Sequence, residues 1–237
     1  MLGVIGGSGF YTLEGKTKKS VVKTPYGEVD SEISEISGKK VVFISRHKKD
    51  HSVPPHKVNY RANVYALKML GVTNIIGIYA TGIISSYKPG DVILVKDFIG
   101  LWTPATFFDD FSDGMRHTDF SEPYHKGLQN LADVIAKKKG ITLRKGGIIA
   151  TTHGPRFETR AEIMAIKRLG ANLVSMTHSY EAALIGELGI PYVAFAVGTN
   201  YACGIKKGKL TSEEVIEHMK KAKKKLRTLI DGFIEIL

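Results

Sequence analysis

The chain has 237 residues, 43% of them hydrophobic and 24% charged, which is the usage of a folded globular protein with enough apolar mass for a full core and excludes a disordered or fibrous class. Its single cysteine, Cys203, excludes an intrachain disulfide and a cysteine-based zinc site, and fits a reducing compartment. The formal net charge of +11 raises nucleic acid as a partner, because clustered Lys and Arg are its electrostatic footprint.

The first apolar run, at 2–5, predicts a strand. It passes straight into glycines, without the basic and longer apolar regions of a secretory signal, and no later run reaches the length of a membrane span. The expectation is a cytoplasmic protein with no membrane partner. Further strands are predicted at 40–44, 74–79, 92–95, 147–151, 173–176 and 192–197, several of them continuously apolar, as strands buried on both faces are. Helices are predicted at 58–70, 128–139, 162–169, 181–188 and 211–230, the last opened by Thr211 and Glu214 as a capping box. Strands separated by helices imply a parallel or mixed sheet. No linker or repeat divides the chain, so residues 1–237 are read as one α/β domain. The segment 98–124 fits neither period, and a long irregular stretch in a compact domain is usually functional or lies at an interface.

Much of the excess charge falls on helices. In the last one Val215, Met219, Ala222, Leu226, Leu229 and Phe233 form an apolar stripe that leaves Lys220, Lys221, Lys223, Lys224, Lys225 and Arg227 outside. These residues and Lys137-Lys138-Lys139 read as solvated faces. No helix-turn-helix, zinc-finger or aromatic RNA-binding signature accompanies them, so no nucleic-acid partner is expected.

Three strand ends deliver polar groups, as open α/β sheets do at a ligand crevice. Gly154-Pro155-Arg156-Phe157-Glu158-Thr159 sets an aromatic face beside a carboxylate, followed by Met176-Thr177 and Thr199-Asn200. Glu158 can accept from ring N–H groups while Phe157 stacks on a base, or it can complement the dipole of the helix that follows. Asn200 offers a donor and an acceptor suited to a purine edge, or it is a turn residue before Gly204. Gly6-Gly7-Ser8-Gly9 lets backbone N–H groups approach an anion, or is a tight turn after an edge strand. It is not a Walker loop, a dinucleotide fingerprint or a nucleophile elbow. Ser45-Arg46-His47 puts a guanidinium fork and an imidazole at a strand end, for phosphate or for a structural salt bridge. His47 and His51 lack helical periodicity and a third ligand, so no metal is expected.

Together with His56-Lys57-Val58-Asn59-Tyr60-Arg61-Ala62-Asn63, these motifs resemble, in order and over nearly the whole chain, the trimeric purine nucleoside phosphorylase and methylthioadenosine phosphorylase family. The resemblance implies a mixed, partly barrel-like central sheet flanked by helices, and a homotrimer or dimer of trimers. It assigns phosphate to Ser8, Arg46, His47, Ala80 and Thr177. It places Met176 against the ribose and Phe157 by the base, with Tyr79, Thr81, Gly82, Tyr201 and Ala202 lining the substrate site. His117 looks like the histidine that reaches a neighbouring subunit's site near the 5′ substituent. No cofactor is implied beyond inorganic phosphate as co-substrate.

The departures point to the base. Methylthioadenosine phosphorylases carry Ser after the Phe and aspartates in a Thr-Asp-x-Asp motif; here those positions are Glu158, Asn200 and Ala202. Glu with Asn resembles the 6-oxopurine enzymes, since an amide can donate to a carbonyl oxygen that a second carboxylate would repel. The expected reaction is phosphorolysis of inosine, guanosine and 5′-methylthioinosine, with Asn200 and Glu158 as the catalytic pair. Ser212 stands where methylthioadenosine enzymes are aliphatic near the 5′ group, which bears on thioether selectivity. Methylthioadenosine phosphorolysis is the alternative within the family; a nucleotide-sensing module and a nucleic-acid-binding protein are the alternatives outside it.

Overall fold

A computed structural model describes residues 1–11, 13, 16–112, 114–207 and 211–237, with the side chains of Lys16 and Ser212 outside the described set. Nine strands form one sheet in the order β2-β3-β4-β1-β5-β8-β7-β6-β9, and β9 pairs back to β5, closing half of it into a barrel. The strands are β1 Leu2–Gly6, β2 Lys16–Thr24, β3 Gly27–Ile36, β4 Lys39–Ser45, β5 Asn74–Ile83, β6 Val92–Ile99, β7 Leu143–Thr151, β8 Leu173–Ser175 and β9 Tyr192–Tyr201. The helices are α1 Tyr60–Met69, α2 Lys126–Lys138, α3 Arg160–Arg168, α4 His178–Glu187 and α5 Ser212–Ile236, with a 3-10 turn at Pro55–Lys57.

The predicted strands and helices all form, and the mixed, partly closed sheet agrees with expectation. The hairpin of β2 and β3 is absent from the prediction. Its sequences, KTKKSVVKT and GEVDSEISEI, are broken up by lysines, acids and serines, so they contain no long apolar run. Antiparallel strands with one wet face alternate, and that signal is weaker than a buried parallel strand's. β2 stands at the end of the sheet order, and exposed lysines there discourage further pairing along that edge.

β1 is an interior strand, parallel to both β4 and β5, so the Gly6-Gly7-Ser8-Gly9 turn leaves the middle of the sheet and not an edge. α4 begins three residues earlier than predicted, at His178. It is buried nearly all round, including Glu181, and its polar first turn hides the start. α5 packs Met219, Ala222, Leu226, Leu229 and Phe233 into the core and leaves Lys220, Lys221, Lys223, Lys224 and Lys225 exposed. The solvated-face reading of these lysines holds. Arg227 is the exception, half-buried and bonded to Asp231. Thr211 caps α5 by accepting from the Glu214 N–H.

Candidate active site

Sheet register assembles the site. Gly82 pairs with Val174 in antiparallel β8, a register that carries Met176 level with Ala80. Thr151 pairs with Ser175 in parallel β7, which brings Thr152 alongside Met176. Gly82 also pairs with Asn200 of β9 across a bulge. On the other flank Ile5 pairs with Gly77 of β5 and Gly6 with Ser45 of β4, and the Arg46 N–H bonds the Gly6 carbonyl at 2.9 Å. Six strands therefore converge on the stretch from Ile78 to Gly82, the register's way of gathering side chains far apart in sequence.

One end of this crevice lies between the Gly6–Gly9 turn, where Arg46 Nη1 rests against Gly7, and α4, whose Glu181 holds that arginine. Ser8 is half-buried on the turn and Ala80 is half-buried on β5. Thr177 is the N-cap of α4 and makes no side-chain cap bond; the Ser179 N–H in that first turn is taken by the Thr151 hydroxyl oxygen at 3.0 Å, which leaves the N–H groups of His178 and Tyr180 as the helix donors at this end. His47 is buried, its Nδ1 2.8 Å from the Val53 carbonyl. A carbonyl only accepts, so Nδ1 carries the proton and Nε2 is left as an acceptor in the neutral ring. Burial, reinforced by Arg46, pushes the His47 pKa down to about 4. The ring of His51 lies 4.7 Å from that of His47, tilted by 41°, and bonds the Tyr11 hydroxyl; among the described residues no group of three His, Cys, Asp or Glu could hold a metal ion.

Arg46 is not a free fork. It is 3% exposed, and Nε and Nη2 reach Oε1 and Oε2 of Glu181 at 2.5 and 2.7 Å. Both Nη atoms also bond the Ile78 carbonyl, at 3.2 and 3.3 Å. The structural salt bridge weighed from sequence is present, and Nη1 lies against Gly7, where a Cβ would overlap it.

The other end carries Glu158 and Asn200, both buried. Thr159 caps α3 in a reciprocal box with Glu162, so the helix dipole is served by Glu162 and Glu158 is released from that task. Glu158 instead accepts from the Thr152 hydroxyl at 2.7 Å. Asn200 belongs to β9 and not to a turn; its Oδ1 accepts from the Thr199 hydroxyl at 2.8 Å and its amide bonds the Tyr201 carbonyl. Gly204 packs against the side chain of Arg160, which places the loop after Asn200 beside the start of α3; burial, and after it the charge of Glu158, raises the pKa of Cys203 there. A cavity of about 450 Å³ opens next to Glu158, lined by Thr152, His153, Arg156 and Trp102 among others.

Other expected residues fall less centrally. Phe157 is 38% exposed. Met176 touches the space beside Gly154 and Pro55. Tyr79 points away from the crevice, 1% exposed, with its hydroxyl on Glu181. Thr81 is buried and bonded to the Val197 carbonyl, and Ala202 packs by Gly82, while Tyr201 lies under Lys206. His117 is exposed on the long loop, edge-on to Phe111, and meets none of these residues. The side chain of Ser212 lies outside the described residues.

Chemistry-bearing residues missed from sequence are Glu181, Thr152 and His178. Glu181 had a signal: it adjoins the apolar run Ala182-Ala183-Leu184-Ile185 of α4, and a buried acid must be paired. Thr152 and His178 had none.

A crevice of backbone N–H groups, an arginine and buried Glu and Asn, on a half-closed mixed sheet, fits one kind of protein. Residues 1–235 match the Phosphorylase superfamily. The chain belongs to that family. It is 41% identical to a probable 6-oxopurine nucleoside phosphorylase of Thermococcus kodakarensis, over 100% of this chain and 92% of that one. It is 40% identical to a probable S-methyl-5′-thioinosine phosphorylase of Methanopyrus kandleri, with the same coverage. Among solved structures it superposes on the methylthioadenosine phosphorylase of Schistosoma mansoni in complex with adenine with a TM-score of 0.91, at 29% identity over 99% of this chain and 90% of that one. These likenesses bear out the family and the α/β fold read from the motifs. No helix among the described residues is long and apolar enough to cross a membrane.

Proposed function

We propose that this phosphorylase cleaves 6-oxopurine nucleosides reversibly, taking inosine, guanosine and 5′-methylthioinosine with inorganic phosphate to the free base and a ribose 1-phosphate. The pairing of buried Glu158 with buried Asn200 carries the reading. Glu158, with Oε1 held by Thr152, keeps Oε2 for the N1–H of the base. Asn200 supplies a donor to O6 and an acceptor for a protonated N7. Relatives named for 6-oxopurine and methylthioinosine substrates support it.

Phosphate sits under the ribose, held by Ser8, the backbone at Ala80, Thr177 at the mouth of α4 and Nη1 of Arg46. His47 accepts from a protonated oxygen through Nε2. Phosphate attacks C1′ as the glycosidic bond breaks, and the charge that builds on the purine is met by Asn200, a donor fixed in advance. The scheme needs no metal and no organic cofactor. The exposed apolar side chains of Leu101, Trp102, Phe111 and Met115 support an association of subunits, a homotrimer or dimer of trimers, in which His117 serves a neighbour's site; large exposed apolar patches mark such surfaces.

The test is to incubate the protein with inosine, guanosine, methylthioinosine and methylthioadenosine, with and without phosphate, and to follow free purine. Phosphate-dependent release from the three 6-oxopurine nucleosides is expected. Preference for methylthioadenosine would overturn the base assignment, and release without phosphate would make the enzyme a hydrolase.

A further inference from the structure

We infer that Glu181 is a positioning residue for phosphate, acting through Arg46. The inference rests on the phosphorolysis reading and adds a residue that the reading does not use.

Glu181 lies in the first turn of α4, four residues after Thr177, with no exposed surface. Its carboxylate takes three hydrogen bonds: Arg46 Nε on Oε1 at 2.5 Å, Arg46 Nη2 on Oε2 at 2.7 Å, and the Tyr79 hydroxyl on Oε2 at 2.6 Å. The Tyr79 hydroxyl is also 2.6 Å from that of Tyr192. A carboxylate only accepts, so Tyr79 gives its proton to Glu181 and Tyr192 donates to Tyr79. The chain of donors thus runs one way, from Tyr192 through Tyr79 to Glu181.

The consequence falls on Arg46. Its guanidinium has five N–H bonds: Nε is spent on Glu181, Nη2 on Glu181 and Ile78, and one hydrogen of Nη1 on Ile78. The remaining Nη1 hydrogen is the only one free of these partners, and Nη1 lies at Gly7, on the turn that carries Ser8. The ring of Tyr79 supports the guanidinium from one face at 4.5 Å. Phosphate therefore meets a single aimed donor, and the bidentate fork that would chelate it in a free arginine stays with Glu181. The same helix carries Thr177 and the first-turn N–H groups other than that of Ser179, which bonds Thr151, so α4 fixes both the arginine and these backbone donors.

Glu181→Gln tests this, because an amide keeps the volume but cannot accept from both arms of the fork. Phosphate-dependent activity of the wild type is measured first; its absence would remove the phosphorolysis reading and this inference with it. Given that activity, Glu181→Gln should raise KM for phosphate about tenfold or more, with KM for inosine within about twofold. Tyr79→Phe, which takes one bond from Glu181 and leaves its charge paired, should raise phosphate KM a few-fold. In the double variant Arg46→Met, Glu181→Gln, which buries no unpaired charge and so answers for a single variant that fails to fold, phosphate KM should be no higher than in Arg46→Met alone. A phosphate KM that stays or falls in Glu181→Gln and Tyr79→Phe, or that rises additively in the double variant, would overturn the role of Glu181 while leaving phosphorolysis standing.

Discussion

The hydroxyl of Thr152 donates to Oε1 of Glu158 across 2.7 Å. One residue directly follows β7, the other precedes the cap of α3, and the bond holds a buried carboxylate with one oxygen engaged. On the reading proposed above, the second oxygen is the one that accepts from the base.

Thr152→Val should therefore weaken base recognition without touching phosphate. Leaving a buried acceptor unpaired costs about 1–3 kcal/mol, so kcat/KM for inosine should fall by between about fivefold and a hundredfold while KM for phosphate is unchanged. Steady-state kinetics with each substrate varied in turn checks it; an equal effect on both KM values would point to general disruption instead.

Asn200→Asp should exchange one base for another. A carboxylate repels O6 but accepts from a 6-amino group, and losing a prealigned donor to a developing charge costs on the order of 2.7–4 kcal/mol. Inosine cleavage should drop by at least about a hundredfold and methylthioadenosine cleavage should appear. An unchanged ratio of the two substrates would sink the assignment of Asn200.

Gly7→Ala should cripple phosphate use, since a Cβ at this position overlaps Nη1 of Arg46 and the guanidinium is held on its other sides by Glu181 and Ile78. The arginine or the turn must move. An increase of at least tenfold in phosphate KM is expected, together with a lower Tm. Wild-type phosphate KM in this variant would show that the turn is not the anion site.

Acid should destabilise the protein through two histidines. Burial, aided by Arg46, lowers His47 to about 4 and His178 to about 3 from an ordinary value of 6.5. Between those limits the unfolded chain takes up protons that the folded chain refuses, so stability is unaffected above pH 6.5 and falls as pH drops through 6.5 towards 4. At 1.36 kcal/mol per pKa unit each ring removes a few kcal/mol, to order of magnitude. Denaturant melts at pH 7.5, 6.0 and 5.0 should show the loss, and His178→Asn should flatten it. A variant with the wild-type slope would exonerate His178.

Much of the architecture was legible because buried strands and amphipathic helices write periodic signals. The run at 74–79 is apolar after Asn74 and that at 192–197 is apolar throughout, and they became the paired strands β5 and β9 that close the barrel. The hairpin of β2 and β3 was not legible, since its wet face interrupts every apolar run with Lys or Glu. At the site the motifs named Glu158, Asn200, Arg46 and Thr177, and all four are buried in the structure. They could not say that Tyr79 turns inward to Glu181, because neighbouring strand residues face opposite ways and only pairing fixes which way is inward.

The sequence by itself determined the family, the αβ alternation, the solvated lysine faces and the polar residue types carried at the strand ends. All of these depend on local pattern or on motifs a few residues long. Tertiary structure alone decided how those groups are used. Gly82 stands beside both Val174 and Asn200, and Arg46 meets Glu181 across 135 positions of chain. Contacts at such separations are set by sheet register and helix packing. The commitment of a buried arginine to a buried acid, which leaves one N–H facing the Gly7 turn, follows from the low dielectric of the core, where an unpaired charge is too costly to keep.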